Sequence, residues 1–373
     1  MRLAFVLFHY FPYGGLERDM LAMANLCQAR GHEVVIFTGA WQGDKPANLR
    51  VEVLPLKKTF SNAGSNAAFV EALQQKLAQE PGWLVIGFNK MPQLDFYYAA
   101  DTCFAAKAYG ERGALYRMTP RAKQYLAHEE AVFAPTSKTQ CFMISRREMA
   151  TFQRIYGTPL DRLHLLPPGI RRDRVMPADY VEQRAALRKQ YGLLPQHKLL
   201  LMVGSDFKRK GLERAIRALA ALPSGLARQT LLWVAGQDKP DAYLRLAAKL
   251  GVDQQVRILG ARDDVSQLLW SADAFLHPAH SENTGTVILE AMVAGLPAVV
   301  TDVCGYAPYV GTRQMGEVIK GEVTATKLAH AIESVLTSAR QHWLDQGRTF
   351  AQEDIYSMTE RAAELIERLG QPR

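Results

Sequence analysis

AFLHPAHSENTGTVILEAMVAGLPAVVT, residues 274–301, holds two short apolar runs with a longer apolar stretch between them. Ala274–His277 and Ala298–Thr301 have the length and composition of buried strands. Thr286–Ala294 is predicted to be a helix, because it is too long for such a strand and has no proline. A strand, a helix and a second strand in this order form a βαβ unit, in which the two strands run parallel. The segment therefore predicts a parallel sheet.

The same alternation extends through the rest of the chain. In the second half we predict further strands at Leu199–Val203, Leu231–Ala235, Val256–Leu259 and Glu317–Ile319. The helices between them are predicted at Leu212–Ala221, Asp241–Leu250, Val265–Trp270 and Lys327–Leu336. In the first half the predicted elements are strands at Leu3–Phe8, Val34–Thr38, Val51–Leu56 and Trp83–Phe88, and helices from Leu16 to Gly31 and at Asn66–Gln79. Alternating strands and helices imply parallel sheets throughout.

Two domains are expected from the length of 373 residues, because a domain averages about 150 residues. Between the two series of strands lies LLPPGI, residues 165–170, whose two prolines stop regular structure. We therefore predict domains at residues 1–168 and 169–350, joined at this hinge. The predicted fold class is α/β, with two doubly wound, Rossmann-like parallel-sheet domains that face a central cleft. Such sheets bind ligands beyond the carboxyl ends of their strands, so the loops after the strands are the expected place for chemistry.

The composition limits the classes of partner. Apolar residues make up 48% and charged residues 22% of the chain, which excludes wholesale disorder. The 45 Lys and Arg exceed the 37 Asp and Glu by 8, which favours a nucleotide, a phosphorylated sugar, nucleic acid or an acidic membrane surface as partner. The four cysteines form no C-x-x-C pair, so we expect a cytosolic protein without a zinc site or disulfide framework. No apolar run approaches the ~18 residues of a spanning helix, and Leu3–Phe8 is predicted to be a buried strand, not a secretory segment.

Two glutamates stand eight positions apart in the opening segment, Glu282 in the loop and Glu290 in the helix. Eight residues are about two helical turns, so both side chains are expected on roughly the same side. A carboxylate in so apolar a helix is costly unless it is hydrogen-bonded, and sugar hydroxyls are suitable donors. The small residues Thr284–Thr286 let a diphosphate approach the helix N-terminus. The simpler interpretation is a carboxylate at a helix start followed by an exposed glutamate.

Two loops with glycines are further candidates for ligand binding. Gly14 and Gly15 follow the first predicted strand and let the backbone pass close to a ligand at a helix start. GSDFKRKG, residues 204–211, contains Arg209 and Lys210, which can hold a phosphate. The simpler interpretation of the first loop is a tight turn with an exposed charged first helical turn. For the second loop it is a solvated charged face. Arg174, shortly after the hinge, is also predicted to reach the ligand.

Several motifs are absent from the sequence. Enzymes that hold a nucleotide diphosphate through a divalent metal commonly use a D-x-D triplet, and the chain has none. Basic residues and a helix N-terminus would then neutralise a diphosphate, so no metal and no other cofactor are expected. The chain also lacks G-x-S-x-G, H-E-x-x-H and a kinase signature. No zinc-finger or RNA-binding motif is apparent, so no nucleic-acid partner is expected.

The Gly14-Gly15, Arg209-Lys210 and Glu282…Glu290 pairs, in this order, resemble the retaining glycosyltransferases of family 4, which have the GT-B fold. Four further segments are similar to the lipopolysaccharide core glucosyltransferases of Gram-negative bacteria: Phe11–Asp19, Gly87–Pro92, Pro167–Ile170 and Val303–Ala307. This resemblance implies transfer of glucose from UDP-glucose to a heptose of the lipopolysaccharide inner core. It also implies an acceptor-binding first domain, a nucleotide-sugar-binding second domain, and a C-terminal helix, about residues 351–373, that crosses back to the first domain.

The resemblance implies roles for the residues of the glycine loops. Gly15 would lie against the donor phosphate and sugar, with Asp19 near the reaction centre. Arg209 and Lys210 would bind the diphosphate. Together with Glu282, Asp19 and Lys210 are the predicted catalytic residues.

The remaining roles concern the sugar, the ribose and the base. Glu282 would hydrogen-bond the transferred sugar, with backbone amides of the following residues beside it: Asn283, Gly285 and Thr286. Glu290 would accept from the ribose hydroxyls, and Arg262 would lie near the uracil. The sequence departs from the broad family's pattern at Asn283, Thr284 and Thr286, which leaves the donor sugar more open than the fold.

The segment Phe104–His128 mixes basic residues with aromatic ones. Against the single acid Glu111 it has five basic residues: Lys107, Arg112, Arg117, Arg121 and Lys123. Such a composition suits the headgroup layer of an anionic leaflet, so we predict reversible binding at the inner face of the inner membrane. Gly110, Gly113 and Pro120 predict a patch of loops and helices, not one long helix. The alternative is a solvated basic loop whose aromatic residues pack inward.

Two other classes of function stay open. One is another enzyme on the same scaffold, such as a UDP-sugar epimerase or a transferase that uses a different sugar or acceptor. The other is a non-enzymatic binder of polyanions, which the charge permits. The glycine loops and the glutamate pair argue against that binder, because neither serves nucleic-acid binding.

Overall fold

The computed structural model describes residues 1–12, 14–56 and 61–371. They form two compact units, Met1–Pro168 with Ser357–Arg373 as the first and Gly169–Tyr356 as the second. The boundary after Pro168 coincides with the predicted hinge. The returning C-terminal segment begins at Ser357 and not at about residue 351, because residues before it pack in the second unit. Ile170 N donates to Ile355 O at 3.1 Å, and Ala351 belongs to the core of the second unit.

Within the described residues, the first unit contains a seven-stranded sheet in which all neighbouring strands pair in parallel, in the order β3-β2-β1-β4-β5-β6-β7. The strands are β1 (Arg2–Tyr10), β2 (Glu33–Trp41), β3 (Arg50–Val53), β4 (Trp83–Gly87), β5 (Phe96–Ala99), β6 (Gln140–Met143) and β7 (Leu163–Leu165). The helices are α1 (Gly15–Ala29), α2 (Asn62–Gln79), α3 (Phe104–Gly110), α4 (Ala114–Arg117), α5 (Pro120–Phe133) and α6 (Arg146–Tyr156).

The central strand of this sheet shows why the first unit folds as it does. Residues 3–7 of β1 are completely buried, because helices cover both faces of a parallel sheet. On α1 the buried apolar residues recur every three or four positions, as in Met20, Met23 and Cys27, so one face of the helix packs on the sheet.

The second unit contains, in the described chain, a six-stranded parallel sheet in the order β10-β9-β8-β11-β12-β13. Its strands are β8 (Lys198–Val203), β9 (Thr230–Ala235), β10 (Val256–Gly260), β11 (Ala274–His277), β12 (Ala298–Thr301) and β13 (Gly316–Ile319). Its helices are α7 (Tyr180–Gln190), α8 (Phe207–Lys210), α9 (Leu212–Ala220), α10 (Ser224–Ala227), α11 (Asp241–Lys249), α12 (Val265–Ser271), α13 (Thr286–Val293), α14 (Ala307–Thr312), α15 (Ala325–Thr337) and α16 (Arg340–Phe350).

The last helix, α17 (Met358–Leu369), belongs to the first unit. Its buried residues Met358, Ala362 and Ile366 share one apolar cluster with Met20 and Met23 of α1. The chain therefore returns to the first unit and contributes to its core.

Among the described helices, none combines the length and the apolar character needed to cross a membrane.

Each sheet has a point at which the order of its strands reverses. In the second unit, β8 and β11 are neighbours, and the chain proceeds outward from them in opposite directions. In the first unit the corresponding neighbours are β1 and β4. Loops that follow the strands at such a switch point enclose the usual ligand crevice of an open parallel sheet. The loops after β8 and β11 are those that contain Arg209, Lys210 and Glu282.

Candidate active site

The carboxylate of Glu282, in the loop after β11, is the centre of a charged cluster in the second unit. Its Oε2 accepts from Arg209 NH1 at 3.2 Å and also from Lys210 Nζ. His277 Nε2 lies 3.1 Å from the same oxygen. The side chain of Glu282 is only 10% exposed, so these contacts are partly shielded from water. The structure thus joins the two predicted diphosphate ligands and the predicted sugar ligand in one place.

Two opposing effects act on the pKa of Glu282. Burial alone would raise it, but the hydrogen bond from His277 and the charges of Lys210 and Arg209 outweigh burial and hold the pKa below its usual range. Glu282 is therefore an ionised carboxylate at neutral pH, which accepts hydrogen bonds and donates none.

His277 is a member of this cluster that the sequence reasoning did not single out. It ends β11, its side chain is 1% exposed, and its ring stacks on Phe275. Burial lowers its pKa, although the hydrogen bond to Glu282 acts in the opposite direction. The available signal was a histidine at the end of an apolar strand, five residues before the key carboxylate.

Close backbone packing places Arg209 and Lys210 beside this carboxylate. Both lie on the short helix α8, and Asp206 caps that helix by accepting from Arg209 N at 3.2 Å. Gly211 ends it with φ of 79°, and a Cβ on this residue would lie 2.1 Å from Pro278 O. Only glycine fits there, so the loop after β8 can press against the loop after β11. His280 N donates to Arg209 O at 2.8 Å and joins the two loops directly.

The loop after β11 leads into the N-terminus of α13. Gly285 is the N-cap residue in the left-handed region, at φ of 80°, and Thr286 is the first helical residue. Asn283 and Thr284 are each 9% exposed, and Thr284 O accepts from Tyr306 N at 2.9 Å. This helix end therefore starts directly beside the Glu282 cluster, with polar side chains in the connecting loop.

Glu290 lies two turns into α13 and is buried, so the interpretation as an exposed glutamate is wrong. Arg174 Nε lies 3.4 Å from Glu290 Oε2, and both side chains are about one-tenth exposed or less. Arg174 NH1 donates to Ser266 Oγ at 2.5 Å, which ties the pair to α12. Arg174 is thus placed as the counter-ion of the predicted ribose ligand.

Arg262 lies in the loop after β10, and its side chain is 37% exposed. It forms two hydrogen bonds with Asp264, Nε to Oδ1 at 2.8 Å and NH2 to Oδ2 at 2.5 Å. Tyr191 OH donates to Asp264 Oδ2 at 2.8 Å. Among the described residues, these hydrogen bonds link Arg262 to Asp264 and not to the Glu282 cluster.

Gly15 and Asp19 lie in the first unit, on α1 after β1. Gly15 is the first helical residue. Asp19 Oδ2 accepts from Tyr98 OH at 2.9 Å, and its Oδ1 lies 3.2 Å from Arg18 NH2. Burial raises the pKa of Asp19, and Arg18 and Tyr98 oppose this effect. Tyr98 OH also lies 3.1 Å from Met358 Sδ, so the first residue of α17 contacts the group that positions Asp19.

Glu17, in the first turn of α1, is 5% exposed, so the alternative of an exposed charged helix start at this loop is wrong for this residue. Burial, together with the charges of Asp19 and Asp101, raises its pKa to about 7. Sequence patterning did not identify this carboxyl group, because helix starts commonly carry exposed acidic residues.

The segment Phe104–His128 folds as α3, α4 and most of α5, so the prediction of loops and short helices is confirmed. Three large apolar side chains are exposed there: Tyr109 at 64%, Leu115 at 83% and Met118 at 65%. The alternative in which the aromatic residues pack inward is therefore wrong for Tyr109. Arg117 lies 4.9 Å from the ring centroid of Tyr109, so basic and aromatic groups alternate on this surface.

A buried carboxylate holds the start of this segment in place. Glu129 of α5 is 0% exposed and accepts from the backbone of Phe104 at 2.7 Å and of Ala105 at 2.8 Å. Lys90 Nζ, in the loop after β4, donates to Glu129 Oε2 at 2.5 Å. Burial alone would raise the pKa of Glu129, but Lys90 and the two amides lower it below its usual range.

Comparison with known proteins places the chain in a family. The model of the glycosyl transferases group 1 matches residues 183–350. The chain is 43% identical over 369 residues to the lipopolysaccharide glucosyltransferase WaaG of Escherichia coli (strain K12), and the match covers 98% of each chain. The chain belongs to the group 1 glycosyl transferases.

Solved structures show the architecture of this group 1 glycosyl transferase. The crystal structure of WaaG, a glycosyltransferase involved in lipopolysaccharide biosynthesis, matches 98% of this chain and 99% of that chain with a TM-score of 0.93 and 43% identity. Anabaena HepE in complex with UDP-glucose matches 99% of this chain and 100% of that chain with a TM-score of 0.76 at 17% identity, which shows a shared fold alone. The predicted GT-B fold and the resemblance to the lipopolysaccharide core glucosyltransferases are thus confirmed.

The predicted site residues of this group 1 glycosyl transferase fall into separate groups. Arg209, Lys210 and Glu282 contact one another, with the start of α13 directly after them. Arg174 and Glu290 form a second pair, Arg262 is bonded to Asp264, and Gly15 and Asp19 belong to the first unit. The roles assigned to these residues stay predictions.

Proposed function

We propose that this chain is a retaining glycosyltransferase that transfers glucose from UDP-glucose to a heptose of the lipopolysaccharide inner core. The observation that supports this most is the cluster of Glu282 with Arg209 and Lys210, at the switch point of the sheet and beside the N-terminus of α13. It combines a carboxylate suited to sugar hydroxyls with cations suited to a diphosphate. The identity of 43% to WaaG supports the lipopolysaccharide substrate.

The donor would bind mainly through groups that the second unit presents. Its diphosphate would attract Lys210 and Arg209 and would lie against the free amides at the start of α13, where the helix dipole favours negative charge. Glu290 would accept from the ribose hydroxyls while Arg174 neutralises its charge. Arg262 would lie near the uracil, held in one orientation by Asp264.

Positioning and charge stabilisation would then account for most of the catalysis. Retaining glycosidases use a carboxylate nucleophile, but no residue of this chain is assigned that role. In the proposed route the acceptor hydroxyl attacks from the face that the phosphate leaves, and a departing phosphate oxygen takes its proton. Lys210 and Arg209 would stabilise the charge that develops on the diphosphate, in place of a divalent metal. Asp19 of the first unit is proposed as a further catalytic residue.

The enzyme would bind its acceptor at a membrane surface. The exposed residues Tyr109, Leu115 and Met118 lie among the five basic residues of Phe104–His128, and such a surface suits an anionic leaflet at about 1 kcal/mol per basic residue. Glu129 and Lys90 fix the start of this surface to the first unit, which is the proposed acceptor-binding unit. We infer a cytoplasmic enzyme that binds reversibly to the inner face of the inner membrane.

A second candidate is a transferase of the same fold with another UDP-sugar. It is favoured by the loop residues Asn283 and Thr284, whose polar side chains are mostly buried directly after Glu282. Buried polar groups discriminate strongly between sugars that do and do not pair with them.

A donor panel tests the proposal. UDP-glucose, UDP-galactose and UDP-N-acetylglucosamine are each supplied with and without lipopolysaccharide truncated at the inner core, and UDP release is measured. We expect release from UDP-glucose only when the acceptor is present. Acceptor-dependent release from another sugar nucleotide would favour the second candidate. Conversion of the donor without an acceptor would indicate an epimerase, and no turnover with any donor would contradict an enzymatic role.

A further inference from the structure

The three donors to Glu282 converge on one of its two oxygens. Arg209 NH1, Lys210 Nζ and His277 Nε2 all contact Oε2, which leaves Oε1 clear of these three groups. Two of the donors are cations on α8, and the third is a ring fixed at the end of β11. A diphosphate would attract the two cations away from the carboxylate, but it would not attract the His277 ring.

The chemistry of His277 fixes which of its nitrogens carries the proton. Glu282 is ionised and can only accept, so His277 Nε2 must be protonated to bond with it. Burial favours a neutral ring, because the charged form is poorly solvated in the interior. His277 is therefore expected as the neutral tautomer with its proton on Nε2, a donor that adds no charge to the site.

We propose that His277 is a positioning residue that holds Oε2 of Glu282 when Arg209 and Lys210 turn to the donor diphosphate, so that Oε1 faces the sugar. This inference rests on the proposed function, since it takes a nucleoside diphosphate sugar as the ligand. In the resting protein the cations and His277 share the carboxylate. With the donor bound, His277 is the one of the three that stays, because the backbone of β11 fixes its ring and it has no net charge to be drawn away.

Kinetics of His277→Phe and His277→Gln test this role. His277→Phe keeps an aromatic ring beside Phe275 but removes the donor. We expect kcat to fall by about 10- to 100-fold, which is the cost of a misplaced group in an active site, with the Kd of UDP unchanged within about threefold. His277→Gln is expected to recover most of the activity, because its amide N–H can reach the position of Nε2. Equal losses in both variants, or a kcat loss matched by weaker UDP binding, would overturn the proposal.

A double-mutant cycle with Glu282→Ala separates positioning from a general structural effect. If His277 acts through Glu282, adding His277→Phe to Glu282→Ala changes the remaining activity by less than about twofold. Additive losses would mean that His277 acts independently of Glu282. His330→Phe is the matched control, because this histidine lies on α15 of the same unit with an exposed side chain. It is expected to leave turnover unchanged.

An NMR measurement of the resting protein does not depend on any activity. With ¹⁵N-labelled histidine at pH 7.5, His277 is expected to show a protonated Nε2 and an unprotonated Nδ1, and this preference is expected to weaken in Glu282→Ala. The opposite tautomer, or an imidazolium, would overturn the proposal. If the donor panel shows no glycosyl transfer while this tautomer is found, the proposed function fails and the contact of His277 with Glu282 stands.

Discussion

Glu290 is a carboxylate in a helix whose other buried residues are apolar. An isolated charge there would cost many kcal/mol, so a partner is required, and Arg174 supplies it at 3.4 Å. A carboxylate has about four lone-pair sites on its two oxygens, so pairing with one guanidinium is compatible with hydroxyl donors from a ligand. The pair is therefore suited to accept hydroxyl donors without an unpaired buried charge.

Glu290→Gln is predicted to raise the KM for UDP-glucose about tenfold. An amide accepts less well than a carboxylate, and hydrogen bonds to charged groups contribute roughly 1.5–3 kcal/mol. Steady-state kinetics with both substrates varied gives the measurement, and Glu322→Gln at an exposed loop position is the control. A change confined to the KM of the acceptor would show that Glu290 does not contact the ribose.

Arg209→Ala and Lys210→Ala are each predicted to weaken UDP binding by about 10- to 100-fold, because each removes a charged hydrogen bond to the diphosphate. Calorimetric titration with UDP measures the effect. Lys208→Ala is the matched control, since Lys208 lies on the same short helix but is exposed and outside the Glu282 cluster. The companion expectation is that transfer survives EDTA, and loss of activity that magnesium restores would contradict the metal-free mechanism.

Among the elements of the first unit, helices α3 to α5 present an exposed surface of basic and apolar side chains. The N-terminus of α3 is fixed to the rest of the unit by hydrogen bonds. The exposed side chains of Leu115 and Met118 have no evident role in the core of the first unit. Glu129 and Lys90 hold the start of α3 by hydrogen bonds, so the surface is preformed and does not have to fold at the membrane.

Flotation with phosphatidylglycerol vesicles is predicted for the wild-type protein, and it should weaken at high salt and be absent with neutral vesicles. Changing Lys107, Arg112, Arg117, Arg121 and Lys123 to Gln should abolish it. The control changes five exposed basic residues of the second unit to Gln, which alters the net charge equally: Lys189, Arg228, Lys239, Lys249 and Lys320. Unchanged flotation of the first variant would show that this surface is not the anchor.

Glu129→Gln is predicted to destabilise the first unit by about 3 kcal/mol, because it leaves Lys90 without its buried counter-ion. The pKa of Glu129 is lower in the folded protein than its ordinary 4.5. Its stabilising contribution is therefore complete above pH 4.5 and is lost as the pH falls through the folded pKa. Urea unfolding at several pH values should show a smaller loss on acidification in Glu129→Gln than in the wild type. Glu130→Gln, at the exposed neighbouring position, should behave as the wild type does.

Most strands of both units were predictable from their apolar runs, but three strands of the first unit were not. The strands at Ala274–His277 and Ala298–Thr301 have the predicted bounds, because apolar runs with polar or proline neighbours mark both ends. The apolar pattern did not predict β5, β6 and β7, although β5 and β6 are as long as the two predicted strands. Their pairing in a sheet, and not their own pattern, makes them strands.

For the whole molecule, the sequence predicted where the chemistry would be but not how its groups are held. The alternation of strands and helices places Glu282, Lys210 and Gly15 after strands, which follows from topology alone. The supporting contacts join residues far apart in the chain, such as Tyr98 to Asp19 over 79 positions and Arg174 to Ser266 over 92. Local spacing carries no information about such pairs, because they arise only when the sheets have formed.

The two units share one plan. Each is a parallel sheet whose strand order reverses once, at β1 and β4 in the first and at β8 and β11 in the second. The loop after β1 leads to Gly15 and Asp19, and the loops after β8 and β11 hold Lys210 and Glu282. This repetition supports a division of the proposed reaction, with the nucleotide sugar in the second unit and the acceptor in the first.

The role of Glu282 is tested by measuring the transfer of labelled glucose from UDP-glucose to truncated core lipopolysaccharide by Glu282→Ala. The kcat of this variant is expected to fall at least about 100-fold, since a charged hydrogen bond developed in the transition state contributes roughly 3 kcal/mol. UDP should bind to the variant no more weakly than to the wild type, because Arg209 and Lys210 are released from the carboxylate. A variant that transfers glucose at the wild-type rate would contradict the account.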